Sequence, residues 1–249
     1  MTTSSNDAHW FRSALILGFL GPALLAFQLF SQRLTTPWYM PALGTLAAGL
    51  ALCATLKRRT LVRTIMTGLL ILVAAFEWWL LLGVMKLPVY SGPLAVGKAF
   101  PAFTSNRADG TSFDQTNLAG PETTALIFFR GRWCPVCLME LDHLERRQED
   151  FARKNIRVVV VSLDDKEKSA KTQAQFPHLT VVADSDKRLI NAAGVLHEKA
   201  NPDGNDAAAP TTILIDKAGV VRWIFRPDGV LRRLTPDEIL NATQREVKE

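Results

Sequence analysis

Two cysteines lie two residues apart, Cys134 and Cys137, within "LIFFRGRWCPVCLMELDHLER", residues 126–146. They follow a short apolar run and open a stripe with helical spacing. A pair so placed can be a redox couple, half of a metal site, or two inert core residues. The thiolate is the attacking form. A helix amino end, with its unpaired N–H groups and positive dipole, lowers a cysteine pKa from about 8.5 into the range of roughly 3.5 to 7.5. Two intervening residues place both sulfurs within one turn, close enough for a disulfide. This predicts an exposed Cys134 and a more buried Cys137. Pro135 suits the first turn, where its missing N–H costs nothing. A zinc ribbon needs a second Cys or His pair at ligand spacing, and the sequence has none. A copper-carrying site would have to borrow His143, His178 or His197, whose spacing suggests nothing. Reversible thiol chemistry is the expectation, with no metal and no cofactor.

The elements around the pair predict an α/β domain. Ala125–Phe129 reads as a buried strand, and residues 135–153 carry Val136, Leu141, Leu144 and Phe151 as a helical stripe. Arg157–Leu163 is β-branched and continuous, a further strand. A polar helix at 165–175, a strand at 179–183 and a short helix at 186–193 follow, and then a loop, "HEKANPDGNDAAA". "TTILID" and "VVRWIF" form a hairpin around "KAG". The last helix starts at Thr235 as N-cap with Pro236 at its first position. Ahead of the pair, "RADGTS" marks the turn of a small extended hairpin. Strand–helix alternation ending in a hairpin implies a mixed, mostly buried sheet flanked by helices over residues 97–249.

Charge divides the chain. Residues 1–92 hold seven Lys/Arg and two Asp/Glu, and residues 93–249 hold 22 of each. The net charge of +5 therefore belongs to the first third, and no basic face points to nucleic acid. Three apolar stretches fill that third: Ala14–Phe30, Trp38–Leu56 and Thr64–Met85, of 17, 19 and 22 residues. About 20 apolar residues cross a bilayer as a helix. A cleavable signal peptide is the alternative for the first, yet its n-region is weakly charged and no small-residue cleavage site follows. Residues 1–87 are thus expected to be a three-span membrane region, and residues 88–96 a linker. Lys57, Arg58, Arg59 and Arg63 place the second link inside and the following domain outside. Glu77, deep in the third span, is expected to face another helix or a cavity. Cys53 stands alone there and reads as a small buried hydrophobe, which makes the spans an anchor and not an electron conduit.

From about residue 95 to 240 the chain resembles a thioredoxin-like redoxin of the alkyl hydroperoxide reductase and thiol-specific antioxidant family. The likeness is carried by "GKAFPAFT", "LIFFRGRWCPVCLMEL", "VVVVSLDD" and "APTTILIDKAGVV". It implies that Ala209–Pro210–Thr211 is a cis-proline turn facing the site and positioning a partner's sulfur; otherwise Pro210 simply starts an edge strand. Peroxiredoxins place a proline, three residues, a threonine or serine, two residues and the peroxidatic cysteine. On this sequence Cys137 takes the peroxidatic position, Cys134 the threonine's and Arg130 the proline's. The arginine the family keeps before the later strand falls near Pro210. The pair itself is similar to thioredoxin's, where the first cysteine attacks.

Two mechanisms therefore stay open. Either Cys134 attacks a protein disulfide and Cys137 resolves the mixed disulfide, or one of them attacks a hydroperoxide and the resulting sulfenic acid condenses with the other. Both end in a Cys134–Cys137 disulfide and need an external thiol reductant. Arg130 or Arg132 would favour the thiolate or hold a peroxide oxygen, unless each is only a solvated strand-end charge. Trp133 lies beside the pair without being catalytic. Glu140 matches a family position, or merely caps or pairs within its helix.

Overall fold

The computed structural model describes residues 3–31 and 33–247, with side chains from residue 9 onward. Residues 1, 2, 248 and 249, which end the two expected domains, lie outside the described residues. The chain divides into Met1–Lys86 and Leu87–Glu249.

The first unit is three helices: α1 (Thr3–Phe30), α2 (Tyr39–Lys57) and α3 (Leu61–Trp79), the last extended by a wider turn, Leu80–Val84. The segments His9–Phe30, Tyr39–Lys57 and Leu61–Val84 are each long and apolar enough to cross a membrane. Helix α1 runs through Pro22 and begins well before the apolar stretch does. Small residues line the buried stripe of α2, at Gly44, Ala47, Ala48, Ala51 and Ala54, so neighbouring helices can approach closely. Polar contacts tie α2 to α3: Thr55 and Thr67 hydroxyls 2.9 Å apart, and Trp78 Nε1 donating to Thr45 Oγ1 at 2.9 Å. Glu77 is buried with its carboxylate against Gly44, facing another helix as expected. Cys53 corrects its expectation. It is exposed, because one residue of helix turns it about 100° from the stripe position Ala54.

The second unit is built on a seven-stranded sheet of order β2-β1-β5-β4-β3-β8-β9. Its strands are β1 (Thr104–Arg107), β2 (Ser112–Asp114), β3 (Thr123–Phe128), β4 (Ile156–Ser162), β5 (Thr180–Ala183), β8 (Thr211–Ile215) and β9 (Val221–Phe225). β3, β4 and β5 run parallel; β8 lies antiparallel on the other side of β3. Side chains alternate across β3. Ala125, Ile127 and Phe129 face one core with Leu141, Leu144 and both motif cysteines. Leu126 and Phe128 face a second core with Leu189, Ile190 and Ile213. Helices α4 (Pro135–Arg146), α5 (Gln148–Arg153), α6 (Lys166–Gln175), α7 (Arg188–Ala193) and α8 (Pro236–Glu246) complete the unit. The single helix expected over 135–153 is broken at Arg147, whose backbone leaves the helical region. The loop expected at 197–209 contains a short ribbon, β6 (Leu196–His197) paired with β7 (Ala207–Ala208). Nor is the 88–96 segment a free linker: Leu94 is buried, and Tyr90 Oη donates to Ala193 O at 3.1 Å and accepts from Leu94 N at 2.8 Å.

Candidate active site

Strand β3 delivers the motif at its carboxyl end. Phe128 pairs with Val161 of β4 and with Thr211 of β8, so the loop leaving β3 is held between two strands. Gly131 turns that loop with φ +129°. Its backbone accepts from Cys134 N at 3.1 Å. Asp164, at the end of β4, accepts from Arg132 N at 2.8 Å and from Ser162 Oγ at 3.1 Å. Burial pushes the Asp164 carboxyl above the usual range, while the Arg132 N–H and Ser162 act against it. Helix α4 then starts with Cys134 as N-cap and Pro135 at its first turn. Cys134 Sγ accepts from Cys137 N at 3.4 Å, filling the role an oxygen usually takes at a helix start.

Cys134 and Cys137 are paired as a disulfide, with Cα atoms 5.3 Å apart. The expected order of exposure is kept but its degree is not: Cys134 is 6% exposed and Cys137 0%. Both belong to the core under β3. Trp133 is 37% exposed, with the Arg130 guanidinium 4.8 Å from its ring centroid. Arg130 is not a solvated strand-end charge. It donates to Ala200 O, and burial, with Arg233 second, pushes it below its usual value. His197 is pushed down by burial and by Arg130. Pro210 is buried at the start of β8. No cis peptide bond occurs among the described residues, so the turn at Pro210 is trans where the resemblance implied cis.

The group that sequence reasoning missed is Arg233. Its Nη2 donates to Cys137 Sγ at 3.4 Å and its Nε lies 2.8 Å from Glu140 Oε2. Its Nη1 donates to Val230 O and Arg232 O at 2.7 and 2.9 Å. Arg233 and Glu140 are each 2% exposed. Glu140 stands three residues beyond Cys137, on the same face of α4, among the buried Leu141 and Leu144. Burial pushes its carboxyl up to about 7, with Arg233 acting against the shift. Arg233 is itself lowered by burial, with Glu140 opposing. A buried charge needs a partner, and the position of Glu140 in an apolar stripe was the signal that one existed. Arg233 comes from a loop 96 residues away, beyond the reach of spacing. The start of α8 aims it inward: Thr235 and Glu238 form a capping box, and Arg232 Nη2 binds Glu238 Oε1 at 2.5 Å.

His178 is engaged elsewhere. His178 Nδ1 lies 2.5 Å from Glu145 Oε1, and among the described residues no three His, Cys, Asp or Glu side chains gather as a metal-binding group. What remains is two sulfurs at a helix amino end, with a guanidinium on the inner one.

Fold and pair together define a thiol-based oxidoreductase on a thioredoxin-like scaffold. The AhpC/TSA family pattern matches residues 96–224, and the chain belongs to that family. The thiol:disulfide interchange protein DsbE of Xylella fastidiosa is 32% identical over 162 residues, covering 63% of this chain and 73% of that protein. Peroxiredoxin 2 of Picrophilus torridus is 26% identical over 165 residues, covering 61% and 75%. Among solved structures, the peroxidoxin BcpB of Mycobacterium tuberculosis shares the fold with a TM-score of 0.52 at 20% identity, covering 63% of this chain and all of that one. The peroxiredoxin-like protein of Aquifex aeolicus does so at 0.53 and 21%, covering 64% and 91%. The apolar helices give this family member its membrane association.

Proposed function

We propose that the protein is a membrane-anchored, thiol-dependent oxidoreductase with peroxiredoxin-like antioxidant activity, its redoxin domain on the extracytoplasmic side and Cys134 and Cys137 its catalytic residues. The observation that carries the peroxide reading is the Arg233 guanidinium on the Cys137 sulfur. A fixed cation beside a sulfur favours its thiolate, and an N–H fork within reach steadies a peroxide oxygen as the O–O bond breaks. In the reduced enzyme the Cys137 thiolate attacks one oxygen of the hydroperoxide. The O–O bond breaks, the other oxygen leaves with a proton as alcohol or water, and sulfur becomes sulfenic acid. Cys134 thiol then attacks that sulfur; water leaves and the disulfide forms. An external thiol reductant returns both cysteines to thiols. Glu140, with its carboxyl at about 7, can take up or release a proton at neutral pH beside Arg233. Arg130 lies over the ring of Trp133, which precedes Cys134, and Pro210 bounds the same end of the sheet; these three are the substrate-positioning residues of this reading.

A second reading, reduction of protein disulfides as in cytochrome maturation, is favoured by a different observation. Cys134 is the less buried sulfur and stands beside the exposed Trp133, as an attacking thiol that must meet a protein partner would. Its similarity to DsbE supports this reading as its similarity to peroxiredoxins supports the first. Reduced protein, prepared anaerobically, separates the two. Rapid oxidation by stoichiometric hydrogen peroxide marks the peroxidase. Oxidation by a protein disulfide, with slow reaction toward peroxide, marks the reductase and overturns the first reading.

A further inference from the structure

A cavity of about 320 Å³ opens where β8 begins and β9 ends, lined among others by Leu87, Tyr90, Leu196, Pro210, Arg226 and Pro227. One wall is the 88–96 segment, and it is firmly set. Besides the two hydrogen bonds of Tyr90 Oη, the backbones of Gly92 and Gly194 press together: a Cβ on Gly194 would fall 2.4 Å from Gly92 Cα, and one on Gly92 2.6 Å from Gly194 Cα. No side chain other than hydrogen fits at either position.

Among the described residues, Arg226 is the one cation on the lining, and no carboxylate lines it. Its guanidinium carbon lies 3.2 Å from the Tyr90 ring centroid. Nε and Nη2 are shielded from solvent, the Tyr90 hydroxyl is the polar group beside the guanidinium, and Arg226 makes no ion pair among the described residues. Burial pushes it below its usual value. A shielded guanidinium edge with a neutral phenol and no anion beside it is costly. Nε and Nη2 share the edge that grips a carboxylate through two parallel hydrogen bonds. An inorganic anion would satisfy the charge but leave the leucine, valine and proline walls against water. The volume lies in the range of small-molecule sites.

We propose that this cavity binds a small organic carboxylate with an apolar body, the carboxylate held by Arg226 and the body lying against Leu196 and Pro210. Binding turns the shielded edge toward the cavity that the guanidinium already lines. The site shares Pro210 with the positioning residues proposed for the thiol chemistry, but its argument does not rest on that reading.

The test titrates the full-length protein in nonionic detergent with hydrocinnamate and, separately, with its neutral amide, against protein-free micelles. Hydrocinnamate should bind saturably and about tenfold or more tighter than the amide, the difference a charge-assisted pair makes. Arg226→Gln should erase that difference, and Leu196→Phe, which fills the cavity and keeps the cation, should abolish binding of the acid. Equal affinity for acid and amide, no binding of the acid, or unchanged binding in Leu196→Phe would each overturn the proposal. The last two comparisons decide it even if Arg226→Gln fails to fold.

Discussion

At the scale of single residues, a buried charge pair stands behind the inner cysteine. Glu140 and Arg233 are both almost wholly shielded, and each makes the other tolerable inside an apolar core. The carboxyl, raised from 4.5 to about 7 by burial, holds a proton in the folded chain at pH values where the unfolded chain has lost it. Stability contributed by this group is therefore greatest in acid and falls as pH climbs from about 4.5 to about 7, by an amount on the order of a few kcal/mol. Asp164 and Asp184, also raised by burial, add to the same fall. Glu140→Gln should flatten it, read as the unfolding midpoint against pH; an unchanged slope would contradict the assignment. Arg233→Gln should slow oxidation of the reduced protein by hydrogen peroxide about a hundredfold, and slow its reaction with a protein disulfide much less. The sequence exposed half of this arrangement. The cysteines were legible from their spacing. For Glu140 the sequence offers only a family position, or a cap or pair within its helix, although three residues on a helix put it on the face of Cys137. Arg233 was not, because "LRRLTPDE" gives no sign of which of its two arginines turns inward.

At the scale of elements, the helix ends do the positioning. α4 begins at Cys134 because Pro135 suits a first turn and the sulfur caps an N–H. α8 begins at Thr235 with a complete capping box, and that start fixes the loop carrying Arg233. Thr235→Ala should cost about 1 kcal/mol of stability, measured by unfolding, and should also slow the reaction with peroxide, since Arg233 lies two residues upstream. Gly131 is the tighter constraint. With φ +129°, a Cβ there would meet Trp133 Nε1 at 2.9 Å and Asp164 Oδ1 at 3.0 Å. Gly131→Ala should therefore destabilise the domain by more than 1 kcal/mol, roughly the ordinary glycine-to-alanine scale, and shift the motif. Strands β3, β4, β8 and β9 and the last helix were all readable from β-branched runs and cap residues. The β6–β7 ribbon was not, since it pairs only Leu196 and His197 with two alanines in a polar stretch and owes its pairing to surrounding tertiary contacts.

At the scale of the whole molecule, the charge asymmetry between the first third and the rest corresponds to two units, an apolar helical one and an α/β one. The lysine and arginines at 57–63 predict which side each takes. In a chain whose own cysteines are replaced, Asp203→Cys should react with an impermeant maleimide on intact cells, and Thr60→Cys only after permeabilisation. The opposite pattern would invert the proposed orientation. An anchored redoxin confines its thiol chemistry to one membrane face, so its reductant must be supplied there.

The account rests on Cys134 and Cys137 exchanging two electrons as a unit. Reduced full-length protein, treated anaerobically with one equivalent of hydrogen peroxide and then analysed by mass spectrometry, tests this most directly. The predicted product has lost two hydrogens and carries an internal Cys134–Cys137 crosslink, and neither Cys134→Ser nor Cys137→Ser forms it. A reduced protein that stays intact under peroxide and under a protein disulfide alike, with both thiols free, would contradict the account.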